Sequence, residues 1–469
     1  MKILLTGATG LIGKELGKHL VEHGHEVVSL VRNASRAKLR IPYQTTCVEW
    51  SGGDSPFPED SLSMLKGIDG VINLMGENLA NGRWTPSLKE QLVASRVAGT
   101  RNLVSAVLSQ GTPRFWIQGS AIGYYGVSPD GVVFDESSPH GSDFLAHLCR
   151  DWEAAAGGLP AGVRKVVCRI GVVMSHQGGA FPRMLEPLLN GLGAVLGTGK
   201  QMMSTIHLQD VIRFISHAVD HPQVEGVFNL VDQEPLPQGE LVKRICELMQ
   251  VSRGPRVPAF AVRMLFGEMS AILLESQAIR SIRLKEAGFH LKYPRIEDTL
   301  TEVITWNLHP IHAHESVMVH FTEQFIPEEL ETLFPFFSDA RNLEAITPEW
   351  LHFRIQKVST ENVQRGTRIR YSLKLHGMPL RWLTDIAEWE PPLRFVDNQL
   401  RGPYNLWYHE HTFHRVKGGT LIRDWVRFKL PMGKLGQWVG LRKVRSDVEK
   451  IFEHRRVKIH ELFGPHRSR

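Results

Sequence analysis

The pattern of hydrophobic and polar positions changes once along the chain, near residue 310. Before that point, short β-branched runs alternate with longer amphipathic stretches, which is typical of βαβ units in a parallel sheet. Beyond it, apolar and polar residues alternate at every second position, as in an antiparallel sheet. The pattern therefore predicts an α/β protein, in which a parallel sheet with helices on both faces precedes an α+β part with a curved antiparallel sheet.

The same pattern gives the bounds of the predicted elements. In the first part, strands are predicted at Lys2–Thr6, Glu26–Val31, Gly70–Leu74, Arg114–Gly119, Arg164–Arg169 and Val227–Leu230, with helices between them. In the second part, strands are predicted at Val317–Phe325, Leu351–Val358, Thr367–His376, Trp382–Glu390, Phe395–Leu400, Trp407–Arg415 and Thr420–Leu430. Two further helices are predicted over Glu328–Ile346 and Leu435–Phe463. The last carries apolar residues at helical spacing, among them Trp438 and Leu441, so it can lie across the sheet.

These elements predict two domains, residues 1–308 and residues 311–469, with a junction near His309-Pro310. The length of 469 residues agrees with this division, because single hydrophobic cores stop growing at about 250 to 300 residues. A proline-bearing segment at residues 252–258 introduces a helical appendage that runs over about residues 252–306.

Composition excludes several classes of protein. No apolar run approaches the roughly 18 residues of a membrane-spanning helix, so no integral membrane segment is expected. The formal net charge of +6 is not gathered into a dense basic stripe, so no nucleic-acid partner is expected. Four cysteines without CxxC spacing predict neither a zinc site nor a disulfide scaffold, and reduced thiols indicate a cytoplasmic protein: Cys47, Cys149, Cys168 and Cys246.

The strongest motif follows the first predicted strand directly and opens the first helix: Gly7, Ala8, Thr9, Gly10, Leu11, Ile12 and Gly13. Gly7 permits a tight turn, Gly10 lets backbone N–H groups approach a pyrophosphate, and Gly13 lets the helix pack close to the strand. The pyrophosphate would meet the positive end of that helix. The motif in this context predicts a Rossmann-type fold that binds a nicotinamide dinucleotide.

The second predicted strand ends at Val31-Arg32. An NAD site would place an acidic residue there against the ribose hydroxyls, whereas a cation can neutralise the 2′-phosphate of NADP. Arg32 therefore favours NADP(H) over NAD(H), and the alternative is an ordinary solvated arginine.

Several further motifs resemble the atypical extended short-chain dehydrogenase/reductase proteins called epimerase-family or cell-division-inhibitor-like. The resemblance spans residues 1 to about 305 and rests on Asn73-Leu-Met-Gly76-Glu-Asn78, Gly82-Arg-Trp-Thr85, Ser120-Ala-Ile-Gly-Tyr124-Tyr125-Gly126, Trp152-Glu153, Gly178-Gly179-Ala180 and Ile206-His207-Leu-Gln-Asp210. It implies an NADP-binding Rossmann fold in which the turn with Leu74 and Gly76 lies beside the adenine ribose. The strand ends at Ser120 and Arg169 would then face the nicotinamide.

The chain departs from the superfamily at its usual catalytic pair. Ordinary members carry a Tyr and, four residues later, a Lys whose ammonium lowers the pKa of the phenol for proton exchange with substrate. Where the pair would fall, this chain has Phe144-Leu-Ala-His-Leu-Cys149, and Arg96 replaces a usual asparagine. Conventional tyrosine-lysine chemistry is therefore not expected.

Three residues are nevertheless candidates for catalysis. Ser120 aligns with the usual catalytic serine, and Tyr124 and Tyr125 follow at the carboxyl end of a predicted strand, where open α/β sheets bind their ligands. Arg96 could supply the missing positive charge. Either tyrosine has the alternative of being an aromatic residue packed beside the nicotinamide.

On the substrate side we expect Trp84, Arg96 and His207. For His207, hydrogen bonding to substrate or to the protein is favoured over proton transfer. Lys89 is a weaker candidate, because a lysine on a polar helix face is usually solvated. Asp210 would cap or pair locally at the start of a helix.

Residues from about 314 to 463 resemble the helix-grip fold of START-like, polyketide-cyclase-like and coenzyme-Q-binding proteins, on pieces such as Trp389-Glu-Pro-Pro392, Gly402-Pro-Tyr404 and Trp407-Tyr-His409-Glu-His411. A long helix gripping a curved sheet leaves a cavity, and the six tryptophans of this part would line an apolar ligand pocket or form plain core. His409 and His411 share a strand face. Without a third ligand in view, cross-strand hydrogen bonding is predicted for them and no metal site.

Two functions remain open from the sequence. One is an NADP(H)-dependent oxidoreductase or epimerase of unusual active site, acting on a small molecule, with the second domain capturing or presenting an apolar ligand. The other is a non-catalytic NADP(H)-binding sensor or scaffold. Loss of the Tyr/Lys pair favours the second, and retention of Ser120 and the two tyrosines favours the first.

Overall fold

The computed structural model describes residues 1–308, 317–431 and 433–464, with the backbone alone for residues 433–442. The chain divides into two compact units, Met1–Ala37 with Thr45–Thr305 and Lys38–Gln44 with Trp306–Arg469. The predicted junction at His309-Pro310 and the side chains of Trp438 and Leu441 lie outside the described residues. None of the described helices combines the length and apolar character needed to span a bilayer.

The first unit is built on a parallel seven-stranded sheet. Its strands, together with short ones outside that sheet, are β1 (Lys2–Thr6), β2 (Glu26–Val31), β3 (Thr46–Glu49), β4 (Gly70–Asn73), β5 (Phe115–Ala121), β6 (Arg164–Ile170), β7 (Val172–Met174), β8 (Met202–Met203), β9 (Thr205–His207), β10 (Gly226–Leu230) and β11 (Leu236–Pro237). The large sheet has the order β10-β6-β5-β4-β1-β2-β3. Central strands are apolar on both faces because helices cover both, and Ile3, Leu4 and Leu5 are fully buried.

Helices connect these strands on both faces of the sheet and continue beyond the last strand. They are α1 (Leu11–Glu22), α2 (Ala34–Lys38), α3 (Glu59–Leu62), α4 (Pro86–Gln110), α5 (Phe144–Ala155), α6 (Ala180–Leu189), α7 (Leu208–Asp220), α8 (Gln238–Met249), α9 (Ala259–Phe266), α10 (Ala271–Leu274), α11 (Arg283–Glu286) and α12 (Ile296–Thr305). Single 3-10 turns lie at Ser63–Leu65, Ile122–Tyr125 and Gly267–Ser270.

The second unit is built on an antiparallel seven-stranded sheet. Its elements are β12 (Met318–Ile326), α13 (Leu330–Phe337), β13 (Arg354–Val358), β14 (Arg368–Leu375), β15 (Met378–Glu390), β16 (Arg394–Arg401), β17 (Leu406–Val416), β18 (Gly419–Lys429) and α14 (Gly433–Phe463), with 3-10 turns at Ala340–Leu343 and Glu349–Leu351. The strand order is β12-β18-β17-β16-β15-β14-β13. The pairing of β15 with β16 shifts register twice, and such irregularities bend a sheet.

The core of the second unit lies between the sheet and its helices. Ile459 of α14 packs in one cluster with Leu333 of α13 and with Phe395, Phe413 and Ile422 of the sheet. The predicted fold class is thereby confirmed, because a parallel Rossmann-type sheet is followed by a separate antiparallel sheet.

The predicted secondary structure is wrong at several places. The predicted strand Leu351–Val358 begins only at Arg354, because Leu351 belongs to a 3-10 turn. The short strands β7, β8, β9 and β11 were not predicted.

The predicted helix over Glu328–Ile346 ends at Phe337, because the side chain of Asp339 accepts a hydrogen bond from the backbone N–H of Arg341 and starts a separate 3-10 turn. The edge strand Thr46–Glu49 was not predicted. It has four residues of which only Val48 is buried, too few to show a period.

Candidate functional site

The start of the loop after β1 and the first turn of α1 each require a glycine. Gly7 has a φ of +68°, and a Cβ there would lie 2.6 Å from the carbonyl oxygen of Leu74. A Cβ at Gly13 would lie 2.1 Å from the carbonyl oxygen of Gly7. The first glycine therefore makes the turn and the third lets α1 lie against the loop, as predicted from their spacing.

Gly10 leaves the start of α1 open. It is the N-cap residue, is exposed, and has no side chain to accept from the first backbone N–H groups of the helix. The first turn of α1 also carries no acidic residue. Free N–H donors at the positive end of a helix are suited to an anion such as a pyrophosphate, so these residues fit a dinucleotide.

The turn after β4 is held in place from behind by buried side chains. Thr6 Oγ1 donates to Asn73 Oδ1 at 2.8 Å and accepts from the backbone N–H of Leu74 at 2.9 Å. Asn73 Nδ2 in turn donates to Thr100 and Gln118. Every member of this network is satisfied, so it fixes where Leu74 lies relative to the glycine loop.

Arg32 lies at the end of β2 with its side chain 76% exposed. Its guanidinium donates a hydrogen bond to Glu77 at 3.0 Å. Glu77 belongs to the turn after β4. A phosphate bound by Arg32 would compete with Glu77 for this cation. The exposed position nevertheless suits the predicted contact with a 2′-phosphate, because the guanidinium needs little desolvation to reach it.

Arg96 supports the same turn and is buried. It donates to the backbone carbonyls of Glu77 at 3.0 Å and Leu92 at 3.3 Å, and its guanidinium faces the ring of Trp152. Burial lowers the pKa of Arg96. A Cβ at Gly76 would lie 2.8 Å from this guanidinium. Arg96, which was predicted on the substrate side, therefore uses its guanidinium to hold the turn after β4.

A buried polar network joins the carboxyl ends of β5, β6 and β10. Glu153 of α5 accepts from Ser120 Oγ at 2.6 Å and from two nitrogens of Arg169, each at 2.9 Å. Arg169 also donates to the Tyr125 hydroxyl at 2.9 Å, which donates to Asn229 Oδ1 at 2.7 Å. The network brings together three predicted site residues, Ser120, Tyr125 and Arg169, through the carboxylate of Glu153.

The two adjacent tyrosines have different surroundings. Tyr125 is 2% exposed, and burial raises the pKa of its phenol, so the hydroxyl keeps its proton. Tyr124 is half-buried, with the guanidinium of Arg169 3.3 Å from its ring centroid. Within the described part of the chain, no hydrogen bond to the Tyr124 hydroxyl is observed. Tyr124 is therefore the better placed of the two to meet a ligand.

Helix α5 carries the residues that replace the usual Tyr/Lys pair. A Cβ built on Gly123 would lie 3.4 Å from Leu145 Cβ and 3.8 Å from Cys149 Sγ, so these two side chains face the end of β5. Burial raises the pKa of the Cys149 thiol to about 12, so it stays neutral. Neither residue can supply the cation or the phenol that this position holds in ordinary members.

The other predicted substrate-side residues fall at two places. Trp84 is 8% exposed and lines a cavity of about 520 Å³ with Leu145 and residues of the helical appendage. Lys89 pairs with Glu268 of that appendage. Leu145 both lines this cavity and faces the end of β5.

His207 and Asp210 hold the start of α7. His207 Nδ1 accepts from the backbone N–H of Gln209 at 3.0 Å, and Nε2 contacts Glu302 at 3.0 Å. Asp210 is fully buried and accepts from two backbone N–H groups, at Lys292 and Tyr293. Both ring nitrogens of His207 are thus used within the protein, which favours the structural hydrogen bonding over proton transfer.

Comparison with known proteins places the chain in a family. The profile of the NAD dependent epimerase/dehydratase family matches residues 3–230, and a domain of unknown function, DUF1731, matches residues 257–303. A chloroplastic epimerase family protein of Arabidopsis thaliana, an SDR39U1 homolog, is 33% identical over 307 residues, which cover 65% of this chain and 87% of that protein. The chain belongs to the epimerase family.

Two solved structures of this family and its neighbours share the fold of the first unit. Human epimerase family protein SDR39U1, crystallised with NADPH, is 31% identical, with a TM-score of 0.58 over 65% of this chain and 99% of that chain. A nucleoside-diphosphate sugar epimerase from Corynebacterium glutamicum is 26% identical, with a TM-score of 0.51 over 67% of this chain and 59% of that chain. The resemblance inferred from the sequence is confirmed over the first unit, and the predicted nicotinamide dinucleotide agrees with it.

Sequence reasoning did not find two members of the polar network in the epimerase-family unit. Glu153 was seen only as part of a family motif, and Asn229 only as part of a strand. The observable signal for both was a polar residue near the carboxyl end of a buried element. Such a residue needs a partner, and the partner comes from another element that the sequence does not identify.

Proposed function

We propose that the epimerase-family unit binds NADPH and transfers hydride between it and a small molecule, as an oxidoreductase or epimerase. The observation that carries this proposal is the stacking of Arg169 on Tyr124 at the carboxyl ends of β5 and β6, 3.3 Å from guanidinium to ring centroid. A cation and a phenol are again adjacent there, although the usual Tyr/Lys pair is absent. Tyr124 is the proposed proton donor or acceptor, and Arg169 stabilises negative charge that develops on its oxygen.

The roles of the remaining network residues follow from their contacts. Glu153 holds Arg169 through two parallel N–H···O bonds, which orient the guanidinium. Tyr125 binds the same guanidinium through its hydroxyl oxygen and keeps its own proton. We propose that both are positioning residues, whereas Ser120 would exchange its hydrogen bond to Glu153 for one to a bound carbonyl oxygen. When bound, the dinucleotide supplies or accepts the hydride.

The proposed preference for NADPH rests on Arg32 and on the human relative of the same family, which carries NADPH in its crystal structure. The exposed guanidinium would exchange its ion pair with Glu77 for one with the 2′-phosphate. A bidentate contact to phosphate is stronger than an exposed carboxylate pair, so the exchange favours the phosphate.

A second candidate function, a non-catalytic NADPH sensor or scaffold, is favoured by one observation. Ser120 and Tyr125 are both hydrogen-bonded within the protein, so two of three predicted catalytic hydroxyls have partners without any substrate. In this alternative the network would serve only to stiffen the strand ends.

We also propose a role for the second unit. Its sheet and α14 would form a START-like helix grip around a cavity of about 210 Å³, which is lined largely by aromatic and aliphatic side chains and would take an apolar small molecule. The buried cysteines Cys149, Cys168 and Cys246 are thiols and form no disulfide bond, which supports the proposed cytoplasmic location.

Titration of NADPH and NADH into the full chain tests the cofactor. Arg32→Ala should weaken NADPH about ten- to a hundredfold, because a charge-assisted hydrogen bond contributes about 1.5 to 3 kcal/mol, and should leave NADH nearly unchanged. Arg101→Ala, which removes another exposed arginine from α4, is the control. Equal weakening of both cofactors by Arg32→Ala would show that Arg32 has only a structural role.

Isotope transfer tests whether the unit is an enzyme. NADPH deuterated at C4 is incubated with a panel of carbonyl compounds, and deuterium in the products is measured by mass spectrometry. Wild type should transfer deuterium to at least one compound, and Tyr124→Phe should abolish transfer with NADPH affinity retained. Tyr125→Phe, which removes the neighbouring hydroxyl, should retain part of the activity. NADPH binding without transfer from any compound would favour the sensor.

A further inference from the structure

The concave side of the second unit holds four ionisable side chains from three adjacent strands. Asp397 of β16 is directly opposite His409 of β17, and His411 of β17 is directly opposite Asp424 of β18. Residues two apart on a strand share a face. Strand register therefore brings all four side chains to one place, and three of them line the cavity of this unit: Asp397, His409 and His411.

The two carboxylates lie on opposite sides of the two imidazoles. Asp397 Oδ2 is 3.3 Å from His409 Nδ1 and 2.9 Å from His411 Nε2. Asp424 Oδ1 is 3.1 Å from His409 Nε2 and 2.9 Å from His411 Nδ1. Each imidazole thus presents one nitrogen to Asp397 and the other nitrogen to Asp424.

Counting protons shows that hydrogen bonds alone satisfy this arrangement poorly. A neutral imidazole carries one N–H, so two of them donate twice, whereas four N···O contacts need four protons. Supplying all four makes both rings cationic, with their centroids only 3.7 Å apart and both side chains over nine-tenths buried. The guanidinium of Arg455 adds a third positive charge, 3.4 Å from both Asp424 Oδ1 and His411 Nδ1. If instead both N–H groups point to Asp424, the oxygen of Asp397 faces two nitrogen lone pairs. A cation between these three atoms removes that repulsion.

We propose that Asp397, His409 and His411 bind a divalent transition-metal ion, and that Asp424 orients both imidazoles by accepting their remaining N–H groups. The two nitrogen-to-carboxylate distances agree with such a site, and the ligand atoms of all three residues lie within 4.8 Å of one another. Metal bonds of about 2.0 to 2.2 Å place neighbouring ligand atoms about 2.8 to 3.5 Å apart, and the nitrogens lie 2.9 and 3.3 Å from Asp397 Oδ2. A carboxylate behind each metal-binding histidine is the usual way in which a protein fixes its tautomer.

The donor set indicates the class of ion and its exposure. Two imidazoles and one carboxylate suit zinc, iron(II) or cobalt(II) and disfavour calcium and magnesium, which prefer oxygen ligands. Three protein ligands leave coordination positions open, and they open towards the cavity. Arg455, 8% exposed, also lines this cavity and has a buried Nε without an acceptor among the described residues. An oxygen atom of a bound small molecule could therefore contact both the ion and Arg455.

Cobalt(II) is the probe for the test, because its d–d absorption reports the ligands and geometry of the ion. The full chain is stripped with a chelator and titrated with Co²⁺, and bound metal is counted by mass spectrometry after gel filtration. One equivalent should bind and produce visible bands. Asp397→Asn and His411→Gln should each abolish stoichiometric binding, and Asp424→Asn should weaken binding about 10- to 100-fold.

His414→Gln is the matched control, because His414 lies on the same strand but is exposed on its surface. It should bind Co²⁺ as wild type does. Circular dichroism checks that each variant is folded, and Asp397→Asn, which preserves the shape of the side chain, serves if His411→Gln does not fold. A folded wild type that binds no stoichiometric Co²⁺, or a folded Asp397→Asn that binds it equally well, would overturn the proposal.

Discussion

In the epimerase-family unit the anion-binding loop comes from one continuous stretch of chain, whereas in the second unit the polar cluster is assembled from three strands. The loop depends on missing side chains, since Gly7 and Gly13 have no room for a Cβ and Gly10 leaves the first backbone N–H groups of α1 open. The cluster concentrates side chains, and register alone brings Asp397 and Asp424 to the two histidines. The glycine loop depends on the lack of side chains in a short segment. The cluster of aspartates and histidines depends on which strands pair in the sheet.

The network around Glu153 combines features of both. Like the cluster, it joins residues distant in sequence, and like the loop it lies at the carboxyl ends of parallel strands. Here every group finds a hydrogen-bond partner within the chain, so the network is stable without a ligand. The cluster beside Asp397 has more contacts than protons to satisfy them. The metal ion proposed above would therefore stabilise the cluster of the second unit, whereas the network around Glu153 is satisfied by its own side chains.

The largest effect is expected where a charge inside the network loses its partner. Glu153→Gln leaves the buried guanidinium of Arg169, whose side chain is 5% exposed, without its carboxylate. Breaking a buried ion pair in this way destabilises proteins by about 3 to 5 kcal/mol. Urea unfolding of the full chain measures the change.

The exposed pair between Arg295 and Asp298 is the control for this variant. Asp298→Asn should change stability little, because solvent screens exposed charges. If both variants lower the free energy of unfolding equally, the buried network contributes no more stability than an exposed ion pair. The proposed stability of the network without a ligand would then be wrong.

The next effect concerns the loop. Gly10→Asp should lower NADPH affinity at least about a hundredfold, equivalent to about 2.7 kcal/mol, because its carboxylate would occupy and repel the pyrophosphate position. The protein should still fold, since Gly10 has an ordinary φ of −80°. Fluorescence titration with NADPH measures the loss. The control is Gly162→Asp, at an exposed glycine with open space around it, which should bind NADPH with the affinity of wild type. If Gly162→Asp weakens NADPH binding as much as Gly10→Asp does, the added negative charge alone is responsible.

Most strands could be predicted from the sequence, because both sheets have one-dimensional patterns. Continuous apolar runs mark the parallel strands, and alternation marks strands such as Leu406–Val416 within one or two residues. The glycine loop could be predicted equally well. The roles of Glu153 and Asp397 could not be predicted, because they depend on partners that only the strand order and register bring near. Only the two histidines of the cluster could be seen in the sequence, because His409 and His411 are two residues apart on one strand. Both carboxylates lie on other strands.

A third, pH-dependent effect is expected at Asp232, which follows β10. The pKa of this carboxyl is raised to about 8, mainly by burial and to a smaller extent by Asp210 and Glu297, while a hydrogen bond from Thr205 opposes the rise. A raised folded-state pKa gives stability that is fully present below the unfolded-state pKa near 3.8 and is lost as pH rises towards 8. Between these values, wild type should lose up to about 1.4 kcal/mol per pH unit relative to Asp232→Asn.

Unfolding free energies of wild type and Asp232→Asn at several pH values test this. Asp130→Asn, at an exposed aspartate, is the matched control and should run parallel to wild type. Parallel pH profiles for wild type and Asp232→Asn would contradict the prediction, since they would mean that Asp232 ionises alike in the folded and unfolded states.

The smallest effect should come from separating the two units. Residues 1–308 expressed alone should bind NADPH within about threefold of the full chain, a difference below about 0.7 kcal/mol, because the glycine loop, Arg32 and the network all belong to the first unit. Residues 311–469 alone should bind no NADPH but should retain a folded antiparallel sheet.

One segment limits how far residues 1–308 can bind NADPH without the second unit. Residues 38–44 group with the second unit although they lie between β2 and β3 of the first. The fragment of residues 1–308 therefore loses the packing around that segment, close in sequence to Arg32, and any loss of affinity should appear for NADPH more than for NADH. Calorimetric titration of both cofactors into fragment and full chain decides the matter. A fall of tenfold or more for both cofactors would show that the first unit depends on the second for its fold, and a selective fall for NADPH would locate the dependence at the Arg32 end of the site.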